Sequence, residues 1–221
     1  MKLVVQAFVS LDGVVQGPGG QDEDRSGGFR HGGWAAPYFD EAMLGNIFAS
    51  MDAIDALLLG RRTYEIFAAH FPHQGADDPV ASRFNRIPKY VASHESGALA
   101  WAGSERLEGD VSAQVARLKQ QPGQELHVHG SGTLVQSLLR DGLVDELRLW
   151  WFPVVLGAGK RLFGVDSQAC SFALAGHQAF DSGVSSQRYL RRGELDYGYM
   201  GSAEPSAEEV QRQRKVAAGD G

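Results

Sequence analysis

Two spacings of apolar residues alternate along the 221-residue chain. Residues 2–9 (KLVVQAFV) are dense in Val, Leu and Phe and read as a strand. Phe39, Met43, Leu44, Ile47, Phe48 and Met51 then recur at three- and four-residue steps, predicting a helix over 38–51 with one buried face. The same two patterns continue as a buried strand at 53–59, a helix at 63–70, a turn-rich loop at 72–79 and a helix around 80–85. A strand at 89–93, a helix at 111–121, a strand at 125–129 and a helix at 133–140 follow. Alternation of this kind implies an α/β fold with a mostly parallel sheet covered on both faces. After residue 140 the rhythm changes. Residues 146–155, 172–179 and 184–191 read as strands with no long helix between them, which predicts antiparallel pairing at one side of the sheet.

Two stretches fit neither spacing. Residues 12–36 hold eight glycines together with Asp22, Glu23 and Asp24. A loop of that length inside a domain is usually functional or disordered, and we read it as functional. From Gly201 onward Gly, Ala, Ser, Glu, Gln and Arg dominate. Residues 1–192 are therefore expected to form one domain and residues 193–221 a partly disordered C-terminal tail, within which 207–216 has the pattern of a weak helix.

Composition narrows the function classes. The apolar fraction of 43% and charged fraction of 22% suit a globular protein. A net charge of −6 lacks the basic excess of a nucleic-acid surface. Cys170 is the only cysteine, so no intrachain disulfide forms and a reducing cytoplasm fits. No segment resembles a signal peptide or approaches the ~18 apolar residues of a membrane span. The chain is expected to be soluble and cytoplasmic, with neither nucleic-acid nor membrane partners. Histidines 31, 70, 73, 94, 127, 129 and 177 form no His-x-x-x-His pair, and His127 and His129, which share a strand face, lack an evident third ligand. No Gly-x-Ser-x-Gly elbow occurs. Metalloenzyme and hydrolase readings are thus disfavoured, and no metal is expected.

Two strand-to-helix junctions carry the strongest chemical signal. In residues 57–65 (LLLGRRTYE) and 126–134 (LHVHGSGTL), an apolar run meets glycine and then a segment of helical character. Such turns aim free backbone N–H groups beyond the sheet, where they favour an anion. Arg61 and Arg62 add guanidinium forks suited to phosphate oxygens. Glycine is also ordinary punctuation at such turns, and neither segment is a complete dinucleotide or P-loop fingerprint. Cations at a helix start oppose its dipole by about 0.3–1 kcal/mol. Their placement asks for an anion.

Ser10-Leu11-Asp12-Gly13, Leu59 to Glu65, Lys89 to Ser93, His129 to Leu134, Val144 to Leu147 and Pro153 to Gly159 occur in that order. Together they resemble the dihydrofolate-reductase-like family that includes the reductase domain of bacterial riboflavin biosynthesis. The resemblance spans roughly 1–192. It implies a three-layer αβα fold, a nicotinamide dinucleotide as cofactor and a homodimer, with the late strands around Trp150 to Val155 as the expected interface. By the same resemblance Arg62 and Thr63, beside Gly60 and Arg61, contact phosphate; Gly130, Ser131 and Gly132, leading into Thr133, approach the pyrophosphate; and Ser93 with His94 lies near the adenosine ribose. With Arg62 available to a 2′-phosphate and no acidic residue where a free ribose would be gripped, NADPH is favoured over NADH.

Substrate-side expectations are less determined. Asp12 either orients substrate or carries a proton, or else caps the turn at Asp12-Gly13. Trp34, Tyr38, Phe39 and Asp40 resemble the stretch where dihydrofolate reductases place an aromatic and a substrate-binding carboxylate, yet Asp40 and Glu41 equally suit a helix's first turn. Asp12, Asp40 or a water would supply the proton. The leading expectation is an NADPH-dependent oxidoreductase delivering hydride to a C=N or C=O of a small heterocyclic or conjugated substrate, with the glycine-rich loop as a lid. The sequence lacks the His-x-Glu and Pro-Cys-x-x-Cys signature of a zinc deaminase, so a stand-alone reductase is expected. The alternatives are a non-catalytic NADP(H)-binding module serving as sensor or assembly partner, and a site for a different nucleotide.

Overall fold

The strand β1 (Lys2–Ser10) is apolar on both faces, which suits the middle of a covered sheet. The computed structural model describes residues 1–75, 77–165, 167–198, 200, 201 and 204–219. Among these residues eight strands form one sheet: β1, β2 (Ile54–Gly60), β3 (Lys89–Ala92), β4 (Ser104–Leu107), β5 (Glu125–His129), β6 (Glu146–Phe152), β7 (Ser171–Ala179) and β8 (Ser185–Gly193). Their order is β4-β3-β2-β5-β1-β6-β8-β7. All neighbouring pairs from β4 to β6 are parallel, whereas β8 runs antiparallel to both β6 and β7. This is the dihydrofolate-reductase-like arrangement expected from the alternation and its late break.

Among the described residues six α-helices accompany the sheet: α1 (Glu41–Ala49), α2 (Arg61–His70), α3 (Pro79–Arg86), α4 (Val111–Lys119), α5 (Gly132–Arg140) and α6 (Ala207–Ala217). Val115 of α4 with Val135 and Leu138 of α5 packs against Leu3, Val5 and Val128 on one face. Met43 and Ile47 of α1, Tyr64 of α2 and Phe84 of α3 pack with Leu57, Leu59 and Trp150 on the other. No helix among the described residues is long and apolar enough to cross a membrane.

Several boundaries depart from the sequence pattern for identifiable reasons. The first helix begins at Glu41 rather than residue 38, because Asp40 accepts the Met43 N–H at 2.7 Å and caps it. Strand β6 stops at Phe152 instead of 155, where Pro153 has no N–H for the ladder. β4, which the pattern misses, is four residues long and buries only Leu107 completely. The helix at 207–217 forms with Ser206 as its cap. The expectation of disorder in the tail also touches residues 199, 202, 203, 220 and 221, which lie outside the described residues.

Candidate active site

Adjacent strands β2 and β5 send their following helices to opposite faces, α2 to one and α5 to the other. A crevice opens at the carboxyl ends of strands where such a divergence occurs. Here it is a cleft of about 1430 Å³. Gly60, Arg61, Arg62 and Thr63 line it from the first turn, and Gly130, Ser131, Gly132 and Thr133 from the second. Ser93 and His94, past the end of β3, line it too.

The two turns touch. The Gly60 N–H donates to Ser131 Oγ at 3.0 Å, and that hydroxyl donates to Thr63 Oγ1 at 2.8 Å. Gly130 (φ 57°) and Ser131 (φ 56°) are both left-handed, and Ser131 is the one non-glycine with positive φ among the described residues. A residue held there costs on the order of 1–3 kcal/mol, which the surrounding contacts must offset. With its hydroxyl spent across the cleft, Ser131 caps nothing. Indeed α2 and α5 begin without a side-chain cap, whereas Asp40, Asp78, Asp110 and Ser206 cap the other four α-helices. Unsatisfied N–H groups and two helix-dipole ends therefore meet at one patch.

The arginines divide their work differently from the sequence expectation. Arg62 Nη1 donates to Asp24 Oδ1 at 3.0 Å and to Ser26 Oγ at 2.7 Å, so this guanidinium is engaged by the glycine-rich loop rather than standing free for a 2′-phosphate. Arg61 donates from Nε to Glu65 at 2.6 Å, while its buried Nη1 has no partner among the described residues. Its Nη2 lies against Gly97, in the segment after Ser93 and His94. Glu95 sits 3.6 Å from Arg61 Nε, so an acidic group does stand near the expected ribose site, correcting the sequence expectation of none.

The proposed acids fall outside the cleft lining. Asp12 accepts from Ser10 Oγ at 2.7 Å, from the Leu156 N–H at 3.1 Å and from the Gly157 N–H at 2.9 Å. The Ser10 hydroxyl first, with those amides, holds its carboxyl at about 2, so it is ionised at neutral pH. It clamps the segment after β6 onto the end of β1. Asp40 is the cap of α1, held below the usual carboxylate range chiefly by the Met43 N–H. Trp34 is buried, donates to the Gln16 carbonyl at 2.8 Å and meets Phe152 edge-on. Tyr38 also packs edge-on against Phe152. Of the three aromatics expected at the substrate, Phe39 alone lines the cleft.

Two polar residues on the cleft floor escaped the sequence reading in this role. Gln6 and His129 are register partners on β1 and β5 and both line the cleft, among Phe8, Phe39, Phe67 and Phe84. The Gln6 side chain and the His129 ring make no hydrogen bond among the described residues. Burial holds His129 neutral, well below its usual pKa. The available signal was parity: a polar residue at position 6, sharing a sheet face with 4 and 8, interrupts an otherwise apolar strand.

Next to Gln6 and His129, on the same sheet face, lies an ionic cluster. Arg148 donates to Glu125 and Glu146, each at 2.6 Å; Arg188 donates to Glu146 at 2.8 Å; and His127 pairs with Glu125 at 2.8 Å. Both carboxylates are buried.

Comparison with known proteins agrees with this geometry. The family model described as the RibD C-terminal domain matches residues 1–186. The uncharacterized protein YyaP of Bacillus subtilis (strain 168) is 26% identical over 186 residues, covering 83% of this chain and 91% of that protein. A putative riboflavin biosynthesis protein from Shewanella sp. PV-4 shares the fold with a TM-score of 0.62 at 22% identity, over 87% of this chain and 99% of that one. A pyrimidine reductase-like protein from Corynebacterium diphtheriae gives 0.56 at 14% identity, over 86% and 91%. With its matched span, its strand order and its paired glycine turns, the chain belongs to the RibD C-terminal domain family.

Proposed function

We propose that the protein is an NADPH-dependent reductase acting on a C=N or C=O of a small heterocyclic or conjugated substrate. The observation that carries the reading is the convergence of the two uncapped helix starts, α2 and α5, on one cleft, with Gly60 and Ser131 in direct contact. The residues fit a dinucleotide: paired N–H patches suit a diphosphate, and Arg61, which lines the same cleft as Ser93 and His94 and has an unpartnered Nη1, suits a 2′-phosphate. NADPH, when bound, supplies hydride from the nicotinamide C4. The chain's own residues position and desolvate the reactants. Phe8, Phe39, Phe67 and Phe84 offer flat apolar walls, while Gln6 and His129 present unsatisfied donors and acceptors to the edge of a ring. Asp12 and Asp40 position segments, leaving proton delivery to water that reaches the cleft.

Titrating the protein with NADPH, NADH and ATP tests the assignment, with nicotinamide fluorescence and thermal shift as readouts. Absent or equal responses would remove NADPH, and binding without turnover on a substrate panel would favour the non-catalytic module. Arg61→Ala is expected to weaken NADPH about 10- to 100-fold while leaving NADH within about threefold, because a charge-assisted hydrogen bond contributes ~1.5–3 kcal/mol. Equal losses for both nucleotides would contradict the role.

We also infer a homodimer. Trp150 and Phe152 face the protein's own core, which shifts the interface away from the Trp150 to Val155 stretch. Support lies instead at β7, the edge strand, where Leu174 is 55% exposed and the free flank suits pairing with a second copy. Leu174→Asp is expected to halve the mass measured by sedimentation velocity; a wild-type monomer at micromolar concentration would exclude the dimer.

A further inference from the structure

The glycine-rich loop brings its own anion to the phosphate patch. The Asp24 side chain is only 10% exposed, and its Oδ2 accepts from Lys160 Nζ at 2.7 Å while Oδ1 accepts from Arg62 Nη1 at 3.0 Å. The Ser26 N–H donates to the same carboxylate at 3.0 Å, and Arg62 also reaches Ser26 Oγ. Gln16 locks the arrangement: its Nε2 donates to the carbonyls of Asp24 and Ser26 at 3.1 and 2.9 Å, and its Oε1 accepts the Lys160 N–H at 3.0 Å. Two cations, a hydroxyl and a backbone amide around one carboxylate are the donor set a phosphate group would recruit.

Charge balance makes this pairing consequential. The cleft lining contains four basic side chains, Arg61, Arg62, Arg140 and Lys160, against six carboxylates. Asp24 pairs with two of the four. The loop also has points about which to move, since Gly17 precedes Asp24 and Gly27 and Gly28 follow it, all at positive φ.

We propose that Asp24 is a built-in competitor whose carboxylate fills a diphosphate subsite formed by Arg62, Lys160 and Ser26, so that a diphosphate ligand enters by displacing it. Lys160, from the segment after β6, thereby becomes an anion ligand alongside the residues of the two turns. The proposal rests on the dinucleotide reading for the source of the diphosphate, while its chemistry is testable without a nucleotide.

Isothermal calorimetry of the full chain with inorganic pyrophosphate provides the test, using wild type, Asp24→Asn, Asp24→Ala and the double variant Asp24→Asn with Arg62→Ala. Both Asp24 variants are expected to bind pyrophosphate about tenfold tighter than wild type, a change of ~1.4 kcal/mol. The double variant is expected to lose that gain. Unchanged or weaker binding in the Asp24 variants overturns the proposal, as does failure of every form to bind. NADPH titrated in parallel separates the two readings. Pyrophosphate behaving as expected while NADPH does not bind keeps the competitor and removes the dinucleotide; NADPH binding with pyrophosphate indifferent to Asp24 does the reverse.

Discussion

Gly60→Asp is expected to raise the Kd for NADPH at least about 100-fold, equivalent to ~2.7 kcal/mol, while leaving the thermal midpoint unchanged or higher. Gly60 has φ −71° and ψ 157°, a conformation open to any residue, and it is the uncapped N-cap position of α2. Aspartate there is a preferred cap and contributes about 1 kcal/mol to its helix. Its Cβ would stand 3.1 Å from Ser131 Oγ, so the serine rotates and the link to Thr63 is lost. The new carboxylate occupies the patch proposed to hold phosphate. Two unit charges about 4 Å apart repel by ~4 kcal/mol at an effective dielectric of 20, enough to outweigh any remaining N–H contacts. Fold and ligand are thus pushed in opposite directions by one substitution. Fluorescence titration with a melting curve reads both, and an unaltered NADPH affinity would show that the turns do not hold phosphate.

Glu146→Ala is expected to cost about 3–5 kcal/mol of folding stability, the range for removing one partner of a buried ion pair. Glu146 is fully buried and accepts from Lys2, Arg148 and Arg188, so its loss takes a carboxylate from three cations and leaves Arg148 with Glu125 alone. Burial alone would raise the Glu125 and Glu146 carboxyls from 4.5, but His127 and Arg148 at Glu125, and Arg188 and Arg148 at Glu146, outweigh it and hold both at about 2. A folded-state pKa below the unfolded one means stability that is complete above about pH 4.5 and lost as pH falls toward 2. The loss is on the order of 3 kcal/mol per carboxylate. Urea unfolding at pH 7, 4.5 and 3 should show wild type weakening steeply below 4.5 and Glu146→Ala weakening less. Parallel pH dependences would rule out this cluster as an acid-labile support.

The part of the site written in consecutive residues was legible. Leu57 to Glu65 and Leu126 to Leu134 each hold strand, turn and helix start within nine residues, and all ten positions expected to bind cofactor line one cleft. What the sequence hid was pairing at a distance. Asp24, Arg62 and Lys160 come from three segments that meet only once the sheet is built, so nothing local reveals that Arg62 is engaged. Asp12 and Asp40 fit both a catalytic and a capping pattern, and hydrogen bonds to backbone amides favour the second. Trp34 and Tyr38, expected at the substrate from a resemblance of sequence, pack instead against the buried ring of Phe152. The short edge strand at 104–107 has too few buried positions to register as a pattern.

β1 and β2 never pair with each other; β5, encoded more than sixty residues after β2 ends, slots between them. Until residues 125–129 arrive, the N-terminal strand has no neighbour on that flank and the first glycine turn has no counterpart. A nascent or truncated chain ending before Glu125 would thus hold one of the two turns proposed to bind phosphate, and a split sheet. Closing that gap finishes the scaffold and creates the ligand's seat in one event, so an occupant of the seat should act as a folding clamp, slowing unfolding in proportion to its affinity.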